Sequence, residues 1–181
     1  MPAAIGIATL MIALAVLGEP ARDALQWTRS GSMPGEWWRF LTAHFIHLDL
    51  FHAMLNAAVL VAMASLVGDV FSPARHALHL CLGMLFIDVG LVALSDLDWY
   101  VGFSGVLHTL AAAAVVRLII ERHDPTAWGI ALFGLGKITY ENLVGAMPFT
   151  AVGTAVATDA HLFGVIAGMM AGLVPAVRQS S

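Results

Sequence analysis

Six stretches of this chain are apolar over close to the length of about 20 residues that a helix needs to cross a bilayer core. They run Ala3 to Leu17, Leu50 to Val67, Ala77 to Leu94, Ser104 to Ile120, Ala127 to Val144 and Ala160 to Val177, and none holds more than two Asp, Glu, Lys or Arg residues. A backbone in hydrocarbon must satisfy its own hydrogen bonds, so such stretches are read as helices. The expectation is an all-α integral membrane protein, a six-transmembrane-helix bundle forming a single domain over residues 1–181. Only 11% of the 181 residues are charged and 60% are hydrophobic, far from the make-up of a soluble domain. The net charge of −4 offers no basic field, so no nucleic acid is expected as a partner. The one cysteine, Cys81, lies inside an apolar run, which excludes a disulfide framework and a cysteine-rich metal site. It is expected to be inert packing.

The first stretch has no Lys or Arg before Arg22, so it lacks the basic start of a signal peptide and is read as a retained helix. Most connections are short, but Gly18 to Asp49 is a long, half-apolar loop. It is expected to hold structure of its own at the membrane interface, with Trp27, Trp37 and Trp38 at headgroup level. Arg39 is expected to order it by bonding carbonyls. With the N-terminus inside, Arg75, Arg117, Arg122 and Arg178 fall on the cytoplasmic side and Arg22, Arg29 and Arg39 outside. The third and fifth loops carry no Lys or Arg, which favours this orientation.

In a six-span bundle, helices two, four and six start at the same membrane face. Their first turns hold His52 and Asn56, Ser104 and His108, and His161 respectively. Residues four apart share a helix face, so these groups are expected to converge at one depth. Each has a plainer reading. Ser104 suits a helix N-cap, with Gly102 and Gly105 in a turn, and His161 and Asn56 suit interhelical hydrogen bonds. Gly164, Gly168 and Gly172 form a small-residue face below His161 that would let helix six approach helix four closely at Ala111 to Ala114.

Four stretches in order resemble the rhomboid intramembrane serine proteases: EWWRFLTAHFIH at residues 36–47, HLDLFHAMLN at 47–56, GFSG at 102–105 and AHLFGVIAG at 160–168. The resemblance implies a rhomboid-like bundle and a catalytic dyad of Ser104 and His161. It also implies an oxyanion hole built by the Ser104 backbone N–H, His52 and Asn56. The usual rhomboid pattern has tyrosine four residues after the serine. This chain has His108, and GFSGVLH is similar to the GxSGxxH of the rhombosortase subfamily, as is its short length without a cytosolic domain. That similarity implies cleavage of a membrane-anchored protein substrate with a C-terminal Gly-Gly sorting tail. The reaction would take place near the outer face of a bacterial inner membrane, by peptide hydrolysis or with transfer to an acceptor other than water.

The chemistry of such a dyad is sound, because serine needs a base to take its proton and a neutral imidazole is one. His108, one turn from Ser104, is expected to stack on His161. Asp159 is two residues from His161 and so on another side of its helix; no acidic third member is expected. The fifth loop, about Met147 to Asp159, is expected to act as the gate. Lys137 and Glu141, four apart, are expected to pair structurally or to contact substrate, while Asp88 and His79 have no assigned place. His44, His47 and His52 invite a metal, but they lack a common helical spacing; no metal and no cofactor is expected. Two other classes compete: a small transporter using Lys137, Glu141 and Asp88 as a polar path, and a catalytically silent rhomboid-like binding protein.

Overall fold

The computed structural model describes residues 1–32, 35–145, 147 and 157–175. In chain order the elements are α1 (Pro2–Val16), α2 (Glu19–Leu25), β1 (Trp27–Thr28), α3 (Arg29–Ser32), α4 (Trp38–Thr42), α5 (Leu50–Leu66), α6 (Pro73–Leu94), β2 (Trp99–Tyr100), α7 (Ser104–Arg117), α8 (Pro125–Leu143) and α9 (Thr158–Leu173). The last turn of α7 continues as a π-helical segment, Leu118–Arg122.

The helix starts follow local chemistry. Asp49 caps α5 by accepting from the His52 N–H at 2.7 Å. Ser72 caps α6 in the same way, with Pro73 at the first helical position. Asp124 accepts from the Thr126 N–H at 2.9 Å and precedes Pro125 of α8. An acidic or hydroxyl cap followed by proline suits a helix start because the first N–H groups have no partner within the helix. At the other end of α1, Gly18 takes φ +68, and α2 leaves at 114° to α1.

Each of the six apolar stretches holds one of the long helices α1, α5, α6, α7, α8 and α9. By length and composition, however, among the described residues only Pro73–Leu94 and Ser104–Arg122 suffice to cross a membrane, or three spans if α1 and α2 count as one bent span. At 17 residues α5 is about 25 Å long, short of a hydrocarbon core of about 30 Å. Helix α8 carries Lys137, Glu141, Asn142 and three glycines, which lower its hydropathy. The expected end of the last span at Val177 and the orienting charge of Arg178 lie outside the described residues.

Helix α7 runs through the centre, with Phe103, Val106, Thr109 and Ala113 fully buried. It packs most closely on α9, and α6 lies against both, while α1 packs on α5. The outward faces are apolar, with Leu78, Leu82, Leu85 and Val89 exposed on α6 and Trp128, Ile130, Leu132 and Phe133 on α8. A helix bundle that is apolar inside and out belongs in lipid. Cys81 lies on that outward face of α6, exposed. The expectation of packed-in cysteine fails because lipid contact, as well as the core, tolerates an apolar residue.

The long first loop does hold structure of its own, α2, β1, α3 and α4. Trp27 pairs with Tyr100 across a two-residue antiparallel ladder and is 1% exposed, so it is a core residue and not a headgroup anchor. Trp37 and Trp38 are exposed. Arg39 donates to the carbonyls of Asp23 (2.8 Å) and Gln26 (2.9 Å) and to Glu36 (2.7 Å). Arg29 reaches the end of α6, donating to the carbonyls of Leu91, Val92, Ser95 and Leu97. Leu91 and Val92 lie in the last turn of α6, whose carbonyls a helix C-terminus leaves unpaired, and Ser95 and Leu97 in the turn that follows.

Candidate active site

Ser104 sits at the first position of α7, inside the helix, and its hydroxyl meets His161 instead of a backbone N–H. The residue occupying the cap position is Phe103, so the N-cap reading of Ser104 does not hold. Gly102, at φ +122, gives the turn a backbone shape that an L side chain rarely adopts. A Cβ there would lie 3.3 Å from His52 Cε1 and 3.9 Å from Ser104 Oγ, so the glycine also keeps the space beside the hydroxyl open.

The turn is braced from the first loop. The Gly102 N–H donates to the Ala43 carbonyl at 2.9 Å, and the Tyr100 hydroxyl donates to the Gly102 carbonyl at 2.6 Å. His44 links that hydroxyl, 3.3 Å from its Nδ1, to Asp88, 3.2 Å from its Nε2. The Phe103 N–H donates to His47 Nε2 at 3.4 Å, and His47 Nδ1 lies 3.2 Å from the Phe45 carbonyl. His47 is thus a neutral ring donating through one nitrogen and accepting through the other. Burial, with His52 beside it, pushes its pKa down to about 3.

Across the bundle, α9 brings His161 to Ser104. A Cβ at Gly164 would run into the Gly105 carbonyl, and one at Gly105 would lie 2.9 Å from the Ala160 carbonyl. Glycines on both helices therefore permit a backbone approach that any side chain would prevent. Further along, Gly168 faces Thr109 and Ala112, and Gly172 faces Ala113 and Val116. At the top of this seam His161 Nε2 lies 2.8 Å from Ser104 Oγ. The imidazole is 3% exposed.

His108 stacks on His161, with ring centroids 4.3 Å apart and planes 22° from parallel, and its Nδ1 donates to the Ser104 carbonyl at 2.7 Å. Behind His161 stands a group that sequence reasoning missed. Glu141 of α8 accepts from His161 Nδ1 at 2.9 Å, so an acidic partner for the histidine exists on another helix. Lys137 lies 2.8 Å from both Glu141 oxygens and 3.0 Å from His108 Nε2. The signal was available: α8 ends at the face where α5, α7 and α9 begin, and Glu141 lies in its last turn. Asp159 instead accepts from the Ser95 hydroxyl at 2.5 Å.

His52 and Asn56 complete the surroundings. Asn56 donates to the His52 carbonyl at 3.0 Å, which leaves its second amide N–H. His52 Nδ1 has no partner among the described residues. A cavity of about 400 Å³ opens between α5, α7 and α8; Ser104, His161, His52, Asn56 and Lys137 lie at its polar side, and Leu55, Val59, Leu107 and Phe133 supply apolar walls. Lys137 therefore both pairs with Glu141 and borders the cavity.

Ligand-type atoms of His108, Glu141 and His161 lie within 4.8 Å of one another, but the Lys137 ammonium already brings a positive charge to that group. His44 is tied to Tyr100 and Asp88 and His47 to Phe103 and Phe45, while the His52 ring meets that of His47 edge to face, with centroids 4.9 Å apart. The Lys137 and Glu141 cluster and the Asp88 and His44 pair are two distinct sets, which does not favour a continuous polar path. His79 is buried with its ring edge on Phe71. Residues 148–156, most of the expected gate, lie outside the described residues.

A family model described as Rhomboid domain matches residues 34–177. No curated protein matches the chain. A serine and a histidine in contact below the face of a helical membrane bundle, together with a match across most of its length, place the chain in the rhomboid family of intramembrane serine proteases.

Proposed function

We propose that Ser104 is the nucleophile and His161 the general base of an endopeptidase that cleaves single-span proteins. The observation that carries this reading is the 2.8 Å contact between Ser104 Oγ and His161 Nε2 at the edge of an open cavity. His161 Nε2 takes the hydroxyl proton as Oγ attacks the scissile carbonyl. The oxyanion that forms meets the Ser104 N–H, one of the donors that a helix start leaves unpaired. His52 and the free amide N–H of Asn56 border the same space and are the further donors. His161 then gives its proton to the leaving amine, and water hydrolyses the acyl-enzyme with the histidine again acting as base. Ring stacking by His108 supports this cycle by holding the base in plane.

The substrate is a bacterial exported protein ending in a Gly-Gly element, a membrane helix and a basic tail, as the GFSGVLH likeness to rhombosortases suggests. The protein lies in the inner membrane with its N-terminus inside, so that the first turn of α7 faces outward. Glycines at the outer end of the substrate helix weaken it, at about 1 kcal/mol each relative to alanine, and expose a carbonyl that an intact helix keeps bonded.

The test is cleavage of such a tailed protein by the purified enzyme in detergent or liposomes. Ser104→Ala and His161→Ala should each abolish cleavage and fluorophosphonate labelling, with the double variant no worse than either single one. Mass spectrometry of the released C-terminus should show a cut beside the glycines; a free carboxylate marks water as the acceptor, and an added amine marks another. Wild-type turnover in Ser104→Ala removes the nucleophile assignment, and a cut at the cytoplasmic end removes the orientation.

A further inference from the structure

Resting on that reading of Ser104 and His161, we infer that Glu141 is a positioning residue for the reaction, held in place by Lys137, so that the dyad works as a triad assembled from three helices. The argument is one of donors and acceptors. An ammonium only donates, and Lys137 Nζ has one contact for each of its three N–H bonds: both Glu141 oxygens at 2.8 Å and His108 Nε2 at 3.0 Å. His108 Nε2 must therefore accept. Its proton sits on Nδ1, which donates to the Ser104 carbonyl at 2.7 Å.

The same logic sets His161. Glu141 is fully enclosed, at 2% exposure, and a carboxylate only accepts. Its Oε2 lies 2.9 Å from His161 Nδ1, so Nδ1 carries the proton and the lone pair of Nε2 faces Ser104 Oγ. That is the tautomer a general base needs. When Nε2 takes the serine proton, the imidazolium has a negative neighbour ready, and nothing has to reorganise. Lys137 makes the arrangement tolerable in the membrane, because it neutralises Glu141 in the resting state. The ring of contacts closes through His108 back to the Ser104 carbonyl, tying base, acid and nucleophile into one unit.

Substitution at Glu141 separates this role from packing. In Glu141→Gln with Lys137 intact, the amide oxygen turns to the ammonium and the NH2 turns to His161 Nδ1. That forces the proton onto Nε2, the wrong tautomer, and kcat should fall about 10²- to 10⁴-fold with KM little changed. Removing the lysine as well frees the amide to turn its oxygen to His161. Two double variants then avoid an unpaired buried charge. Lys137→Met with Glu141→Gln keeps an acceptor for His161, and Lys137→Met with Glu141→Leu does not. The first should be at least tenfold more active than the second, at equal folded fraction. Nitrogen-15 NMR of the His161 ring should show the proton on Nδ1 in the wild type and in the Gln double variant, and a loss of that preference in the Leu one. Equal kcat in the two doubles, or a wild-type ring protonated on Nε2, overturns the inference. The NMR measurement needs no turnover, so a protein without Ser104-dependent cleavage would defeat the proposed function while leaving this assignment to be judged on the ring itself.

Discussion

The first loop and the seam between α7 and α9 hold the same serine from opposite sides by different means. In the seam the helices meet through glycine backbones, Gly105 against Gly164 and Thr109 against Gly168, with no charged group between them. In the loop, two arginines donate to six carbonyls in all, Arg39 to Asp23 and Gln26 and Arg29 to four in the last turn of α6 and just after it. The difference follows from solvent. Lipid offers no hydrophobic drive to join apolar helices, so close approach and dispersion must do it. In the loop, irregular backbone leaves carbonyls that an arginine satisfies several at a time. Ser104 lies where the two constructions join, its turn braced by the loop and its base delivered by the seam.

A side chain placed in the seam should have the largest effect. Gly164→Leu would drive α9 away from the Gly105 carbonyl and pull His161 out of reach of Ser104. Misplacement of a base by about 1 Å costs on the order of 10²-fold, and overpacking costs about 1–3 kcal/mol besides. Cleavage should fall at least a hundredfold, while protease sensitivity within residues 18–49 stays as in the wild type. Loss of the loop together with the seam would show that the two are one unit.

Breaking the loop should be milder and of opposite pattern. Arg39→Ala removes bonds from a charged donor that is 9% exposed, each worth about 1.5–3 kcal/mol. Limited proteolysis between residues 18 and 49 should accelerate, with the α7 and α9 helices still resistant. If the helices become sensitive first, the loop is holding the bundle rather than the turn.

Acid sharpens the comparison further, since it acts on the loop's brace through His47. That ring is neutral in the fold down to about pH 3, whereas an unfolded histidine takes a proton near 6.5. The unfolded or detached state therefore binds more protons in that window. The brace is at full strength above about pH 6.5 and weakens as the pH falls towards 3, at up to about 1.4 kcal/mol per pH unit. Hydrogen exchange at Phe103, whose N–H His47 accepts, should rise over its intrinsic rate on acidification, and His47→Gln should remove that dependence. An unchanged protection factor from pH 7 to 4 would exclude His47 as the brace.

Glycines outside the seam give the smallest effect and the control. At Gly129 and Gly136 of α8 an added methyl group would meet nothing within 4 Å, so alanine there should be neutral or stabilise by up to about 1 kcal/mol. The same substitution at Gly164 or Gly168 should be deleterious. Thermal unfolding in detergent distinguishes them, and similar losses at both kinds of position would show that seam contact is not what sets glycine's role.

Much of the helical framework was written locally. Asp49, Ser72 with Pro73, and Asp124 with Pro125 mark helix starts by chemistry that acts within four residues, and the six apolar stretches follow from composition alone. The convergence of Ser104, His108 and His161 was also legible, because alternate helices begin at one face and spacing of four keeps a face. What the chain could not reveal was how each helix is turned about its axis. A soluble helix advertises its inner face by polarity, but here both faces are apolar, so nothing in the order of residues told Cys81 to face outward or Trp27 to lie in the core. The placement of Glu141 behind His161 depends on that rotation of α8 against α9, and so does the reach of Arg29 to the end of α6. Such contacts join residues 20 to 68 positions apart. They are decided only when packed backbones fix which polar group has which partner, since a polar group left without one in an apolar surrounding is costly.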